Sequence, residues 1–167
     1  MRTRIREFVD LWLSRALMLL MAVSVLNVLW QVFTRFILQD PSSYTEELAR
    51  FLLIWIGLLG ASYASGKGMH LAIDYFAHKF SRAMQKTIGL IIQFMVSLFA
   101  MSVMVIGGIR LVYITLVLDQ TSAALQVKLG YVYLVLPLSG IIIIFYAVAA
   151  FIELMQTDPE PVTEAGG

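Results

Sequence analysis

Asn27, Gln31 and Arg35 recur at i+4 steps in an otherwise apolar stretch, with Ser24 below them. On a helix they share one face. Such a stripe offers either a hydrophilic path or a polar seam between helices. The seam is favoured, because an amide that faces lipid gains by finding a protein partner. Arg35 has the reach to snorkel to a membrane surface. Glu46, Glu47 and Arg50 form a second group. Glu46 to Arg50 is an i,i+4 pair and Glu47 to Arg50 an i,i+3 pair. Acids suit a helix N-terminus. Two adjacent acids exceed what one cap requires, so the group reads equally as a charged rim that docks a partner. Gly57, Ala61 and Ser65 form one column of small residues, with Gly60 and Ala64 in the next. Small residues at this spacing allow close backbone approach, either inside the chain or against another protein.

His70, Asp74 and His78 also follow at i+4 steps. A shared helical face of this kind could hold zinc, but no cysteine or further acid completes a ligand set, and a solvated polar face is expected. These two histidines stand outside the apolar stretches, so paired-histidine haem ligation has no candidates. No Ser-His-Asp set, paired catalytic carboxylates or phosphate-binding glycine loop is legible, and Gly66-Lys67-Gly68 lacks the P-loop spacing. The expectation is a protein that is not an enzyme, with no catalytic, cofactor-binding or metal-binding residues.

The elements that position these groups follow from composition. Of 167 residues, 60% are hydrophobic and 14% charged, and there is no cysteine. Soluble domains carry about 25% charged residues, so a soluble globular fold is excluded. The formal net charge of +1 argues against nucleic-acid binding, which needs a concentrated basic footprint. Four stretches lack any Asp, Glu, Lys or Arg: Ala16–Thr34, Phe51–Gly66, Thr87–Ile109 and Leu129–Ile152. A crossing helix needs about 20 mostly apolar residues. The second stretch is short but gains a start upstream, where Pro41-Ser42-Ser43 precedes it and Ser43-x-x-Glu46 reads as a capping box. A helix from Ser43 to Gly66 is about 36 Å long.

The predicted fold is all-α: a single integral membrane domain over residues 1–156 with four transmembrane helices, roughly 16–36, 43–66, 87–110 and 129–153. Short amphipathic interfacial helices accompany them. One contains Ile5, Phe8, Val9 and Trp12; the other contains Ile73, Phe76, Ala77, Phe80 and Met84. Leu111–Leu118 stays apolar beyond Arg110, and a helix continued through it must tilt or bend into an arm. Pro137 is expected to bend the last span, and Tyr131 and Tyr133 fit an interfacial aromatic belt. Residues 157–167 read as a disordered cytoplasmic tail. Arg2, Arg4, Arg6, Arg15, Lys67, Lys79, Arg82 and Lys86 outnumber Arg35, Arg50, Arg110 and Lys128, which puts both chain ends in the cytoplasm. The first apolar run leads into Thr34-Arg35-Phe36 without a small-residue cleavage signature, so it reads as an uncleaved span.

No ionisable side chain lies near the middle of any span, whereas self-sufficient carriers generally keep one there. A small multidrug-exporter-like transporter would want a carboxylate in the first span, which has none. A homo-oligomeric channel would want a polar ring, for which the Asn27–Gln31–Arg35 stripe is the only and short candidate.

Trp30-Gln31-Val32-Phe33-Thr34-Arg35-Phe36, Ser43-Tyr44-Thr45-Glu46-Glu47-Leu48-Ala49-Arg50, then Gly60, Ala61, His70 and Asp74, and the late run Tyr131-Val132-Tyr133-Leu134-Val135-Leu136-Pro137-Leu138 follow one another in a familiar order and spacing. Over about residues 5 to 156 the chain resembles the DctQ family, the small membrane subunits of tripartite ATP-independent periplasmic (TRAP) transporters. The family more often has Trp where this chain has Tyr44, a departure that keeps an aromatic at the interface. The resemblance implies an inner-membrane subunit with four transmembrane helices and no cofactor. Its implied partners are a larger membrane subunit, which moves an organic acid of the C4-dicarboxylate or sialic acid type with sodium by an elevator motion, a periplasmic substrate-binding protein, and membrane lipids. The small subunit is then a scaffold. Arg35, Glu46, Glu47 and Arg50 would organise the periplasmic rim, and Gly57, Gly60 and Ala61 a helix contact, with Asn27 and Gln31 as the polar packing stripe.

Overall fold

In the computed structural model the described residues are 4–40, 42–67 and 82–156, without the side chains of Arg82 and Ala83. Every long element is helical: α1 Arg4–Phe36, α2 Ser43–Gly66, α3 Arg82–Phe99, a π-helical turn Ala100–Gly107, α4 Gly108–Val117, α5 Leu129–Tyr133 and α6 Val135–Gln156. Among the described residues, four helical stretches are long and apolar enough to cross a membrane: Arg4–Phe36, Ser43–Gly66, Met84–Val117 and Leu129–Gln156. His70, Asp74, His78, the second amphipathic segment before Met84 and the tail 157–167 lie outside the described residues.

Three boundaries differ from the expectation. The first amphipathic segment is not a separate surface helix. It is continuous with the first span as one helix of 33 residues, about 50 Å long. Arg6 and Asp10 tolerate this because both find partners on other helices. The third span does not stop at Arg110 but stays helical to Val117 through the π turn. Within that turn the Ser102 Oγ donates to the carbonyl of Leu98 at 2.8 Å. The last span breaks at Leu134, between α5 and α6. Pro137 lacks the N–H that would reach the Tyr133 carbonyl, and its ring crowds that carbonyl.

The capping box at Ser43 does not form. Ser42 is the residue at the N-cap, and it makes no side-chain cap bond. Its hydroxyl instead lies 2.8 Å from that of Thr45, which donates back to the Ser42 carbonyl at 2.8 Å.

Successive spans along the chain alternate in direction, and the helices stand side by side. α1 packs on α2, α2 on α6, and α6 on α3 and the π turn, so the order across the molecule is α1, α2, α6, α3. Burial follows that order. One third (33%) of the most apolar window in the last span is buried, against 17% in α2, 11% in the third span and 6% in α1. The core gathers Leu13, Leu59, Val135 and Tyr146, flanked by Val9, Leu17, Trp55 and Phe145.

Two glycines set how close the helices come. A Cβ at Gly66 would lie 2.6 Å from the Tyr146 ring, so α2 ends flush against that ring only because Gly66 has no side chain. A Cβ at Gly140 would lie 2.8 Å from Met104 Cβ, so α6 presses directly on the π turn.

Candidate functional site

Polar chemistry gathers at the two ends of the row. At the end where α1 begins, Arg6 Nη2 donates to the Gly66 carbonyl at 2.7 Å, and its Nη1 lies 3.3 Å from Glu153 Oε2. One turn on, Asp10 Oδ2 meets Lys67 Nζ at 2.9 Å, and its Oδ1 accepts the hydroxyl of Tyr146, which is 2% exposed. The hydrogen bond to Asp10 holds the Lys67 ammonium above the ordinary lysine value. These contacts join α1, α2 and α6 around a cavity of about 240 Å³ lined by Arg6, Glu7, Asp10, Gly66, Lys67 and Glu153. Sequence reasoning missed this cluster. Its one sequence signal is the i+4 spacing of Arg6 and Asp10, which reads as the polar side of the first amphipathic segment, opposite Ile5, Phe8, Val9 and Trp12.

At the opposite end the polar stripe divides. Asn27 is buried and its Nδ2 donates to the Thr45 carbonyl at 2.8 Å, which fastens α1 to α2. Gln31 is half-buried and does not share that bond, and its backbone carbonyl accepts the Thr34 hydroxyl at 3.0 Å. Arg35 is exposed, with its guanidinium 5.8 Å from the Phe36 ring centroid. Trp30 Nε1 donates to the Tyr44 hydroxyl at 3.0 Å, a second tie between α1 and α2.

The two adjacent acids point to different places. Glu46 lies in the open, 3.6 Å from Arg50, and that pair is solvent-facing on both sides. Glu47 turns inward over the loop that joins α4 to α5. Its Oε2 accepts the Ser122 hydroxyl at 3.0 Å and the backbone N–H groups of Ala124 and Leu125 at 2.9 Å each. The loop is folded on itself as well: Ser122 N–H donates to Val127 O and Leu129 N–H to Gln120 O, both at 2.9 Å. Lys128 Nζ sits 3.0 Å from Asp119 Oδ1, and that bond holds its ammonium above the ordinary lysine value. Asp119 and Gln126 adopt positive φ (48° and 53°), which gives the loop its two sharp reversals. Eight residues along α2 from Glu47, Trp55 Nε1 donates to the Val132 carbonyl at 3.1 Å.

In the spans, hydroxyls are satisfied by backbone carbonyls. Ser62 Oγ donates to Leu58 O at 2.9 Å and reaches Ser139 O at 3.2 Å, Ser139 Oγ donates to Leu136 O at 2.9 Å, and Thr115 Oγ1 to Leu111 O at 2.8 Å. Gly57 and Ala61 face outward, and neither Gly57 nor Gly60 has an atom within 4 Å of where a Cβ would stand. The small-residue column is therefore open on the outer side of α2, while Ser62 and Gly66 supply the inner contacts. No group of three metal-ligating side chains occurs among the described residues.

A sequence model of the family described as tripartite ATP-independent periplasmic transporters, DctQ component, matches residues 24–157. The chain is 26% identical over 140 residues to the sialic acid TRAP transporter small permease protein SiaQ of Vibrio cholerae serotype O1, covering 82% of this chain and 78% of that protein. A shorter match, 30% identical over 66 residues, is to the sialic acid TRAP transporter permease protein SiaT of Haemophilus influenzae. It covers 40% of this chain and 11% of that much longer protein.

Proposed function

The chain belongs to the DctQ family of tripartite ATP-independent periplasmic transporters, and on that premise we propose that this small permease subunit is a non-catalytic scaffold. The observation that carries the reading is the side-by-side order α1, α2, α6, α3. A closed bundle hides its apolar surface in its own core. An open row leaves a broad apolar surface for lipid and for a second membrane protein, as the low burial of α1 and the third span indicates. Hydrogen bonding within the chain supports the same reading. Asn27, Ser62, Thr115 and Ser139 are engaged by backbone carbonyls and are not presented to a solute.

The partner in this proposal is a larger membrane subunit that carries an organic acid with sodium by an elevator motion, sliding against the fixed row. The match to a short part of a long permease protein supports such a partnership. The similarity to a sialic acid small permease protein favours an acidic sugar as solute. Delivery falls to a periplasmic binding protein. The subunit lies in the inner membrane with the Arg6–Lys67 end in the cytoplasm, following the excess of basic residues there. Arg35, Glu46 and Arg50 then form the exposed periplasmic rim that meets the binding protein. Gly57, Gly60 and Ala61 offer the outer face of α2 for close helix contact, and Asn27 and Gln31 belong to the packing seam.

Tagging this chain, extracting it from its native membrane in mild detergent and identifying the co-purifying protein tests the proposal. A larger polytopic protein at equal stoichiometry is expected, with sialic acid uptake by proteoliposomes that hold both chains and the binding protein. Recovery of this chain alone as a stable homo-oligomer, with uptake or conductance of its own, overturns it.

A further inference from the structure

The segment from Gly108 to Leu134 is bound within itself and joins the rest of the chain at its two ends and through α2. Internally, α4 and α5 run antiparallel. A Cβ at Gly130 would lie 2.6 Å from Leu116 Cδ2, so α5 lies flush on α4. The connecting loop adds the Ser122–Val127 and Leu129–Gln120 backbone bonds and the Lys128–Asp119 pair. Where this segment joins the bundle, both of its strands carry a backbone irregularity at one level. On one side lies the π turn Ala100–Gly107. On the other lie the break at Leu134 and Pro137, where Leu138 N–H reaches the Leu134 carbonyl only at 3.3 Å. The two meet: a Cβ at Gly108 would stand 2.9 Å from Pro137 Cδ. Regular helices resist bending through their hydrogen-bond ladders, and both ladders are loosened at this level.

Across from the pivot, α2 holds the segment by two side chains on one face. Trp55 donates one bond to the Val132 carbonyl. Glu47 accepts three bonds from the loop, two of them from backbone N–H groups. A charged acceptor that serves several donors is among the stronger hydrogen-bond arrangements.

We infer that Gly108–Leu134 is a lever that swings as one body about the paired irregularities at Ala100–Gly107 and Pro137, and that Glu47 is the latch holding it against α2. This goes beyond the scaffold reading and does not depend on the solute or the partner. It assigns motion to one end of a subunit whose other helices stay fixed relative to one another. The irregularities supply the compliance, the internal bonds make the lever rigid, and Glu47 sets its resting position.

The chain has no cysteine, so pairs of introduced cysteines carry spin labels without background. Labels at Ala61→Cys and Thr121→Cys report the lever against α2. Labels at Ala61→Cys and Arg35→Cys report α1 against α2 towards the same end. The full chain is measured alone in nanodiscs, because Ala61 belongs to the face assigned to the membrane partner. In Glu47→Ala the first pair's distance distribution broadens or gains a second population, while the second pair's is unchanged. Hydrogen exchange at the amides of Ala124 and Leu125 becomes about tenfold faster or more. Trp55→Phe, which removes only the indole donor, broadens the first pair to a smaller extent and decides the matter should Glu47→Ala fail to insert. An unchanged first pair overturns the inference. Broadening of both pairs overturns it too, since that is general loosening and not the swing of one body.

Discussion

The Asn27 amide donates to the Thr45 carbonyl at 2.8 Å, and both residues are buried where α1 turns into α2. The bond takes up a backbone acceptor next to a helix start and ties two antiparallel helices in one register. Asn27→Leu keeps the volume and removes the donor. It is expected to destabilise the chain by about 0.5–1.7 kcal/mol, the range measured for hydrogen bonds between membrane helices. Reversible unfolding in mixed micelles measures the difference, and a neutral result shows that the bond contributes nothing net.

Gly66 and Gly57 lie on the same helix, and only the first should be sensitive to an added methyl group. Gly66→Ala drives a Cβ into the Tyr146 ring and is expected to cost about 1–3 kcal/mol. Gly57→Ala meets open space within the chain and should leave its stability unchanged. Under the scaffold proposal Gly57→Leu weakens recovery of the large subunit while leaving the isolated chain intact. Thermal unfolding of the isolated chain and co-purification separate the two effects.

Glu46→Lys and Glu47→Lys divide the rim from the latch. Glu46 is solvent-facing beside Arg50, so its reversal leaves the fold intact and, on the scaffold proposal, weakens transport. Glu47→Lys sets a cation against three donors. Trypsin then cuts after Lys128 about tenfold faster or more than in the wild type, because the loop opens locally. Equal cutting in the two variants counts against the assignment of different roles.

The spans were legible in the sequence because lipid demands long uncharged runs, and α2 covers Ser43–Gly66 as expected, although the capping box expected at its start does not form. The contacts at the ends were not. Arg6 and Asp10 read as the wet face of a surface helix, since their spacing carries no mark of Gly66, Lys67 and Tyr146 waiting on other helices. Glu47 was legible as a charged group near Arg50, but its partners are backbone N–H groups in a loop far along the chain, and backbone donors leave no residue-type signature. The π turn was equally silent: Ser102 is one hydroxyl among several in the spans. Pro137 announced a bend. That the break falls at Leu134 follows once the missing bond is traced back to Tyr133.

Asp10 and Tyr146 form a pair suited to a double-mutant cycle. Asp10→Ala leaves the buried Tyr146 hydroxyl without its acceptor and is expected to cost about 1–3 kcal/mol. Adding Tyr146→Phe should recover part of that loss, because no buried donor then remains. Additive costs across the cycle would show that the two residues act independently.

Lys67 gives the same corner a pH signature. Its ammonium is held above the ordinary lysine value by the Asp10 bond. A cation favoured by folding contributes fully below its unfolded value and loses that contribution as pH rises through the folded one. The stability difference between wild type and Lys67→Met should therefore be constant from neutral to mildly alkaline pH and shrink only above the ordinary lysine range. A difference that already shrinks near neutral pH would contradict the pairing.

The cluster at the Arg6 end also bears on the order of assembly. Arg6 and Asp10 leave the ribosome well before the groups they meet: Glu153 follows Arg6 by 147 residues and Tyr146 follows Asp10 by 136. Until α6 has entered the bilayer, Arg6 and Asp10 have only their partners at the end of α2, the Gly66 carbonyl and Lys67. That end of the protein is thus complete only when translation has passed α6, and a chain interrupted before Tyr146 displays an incompletely paired Asp10.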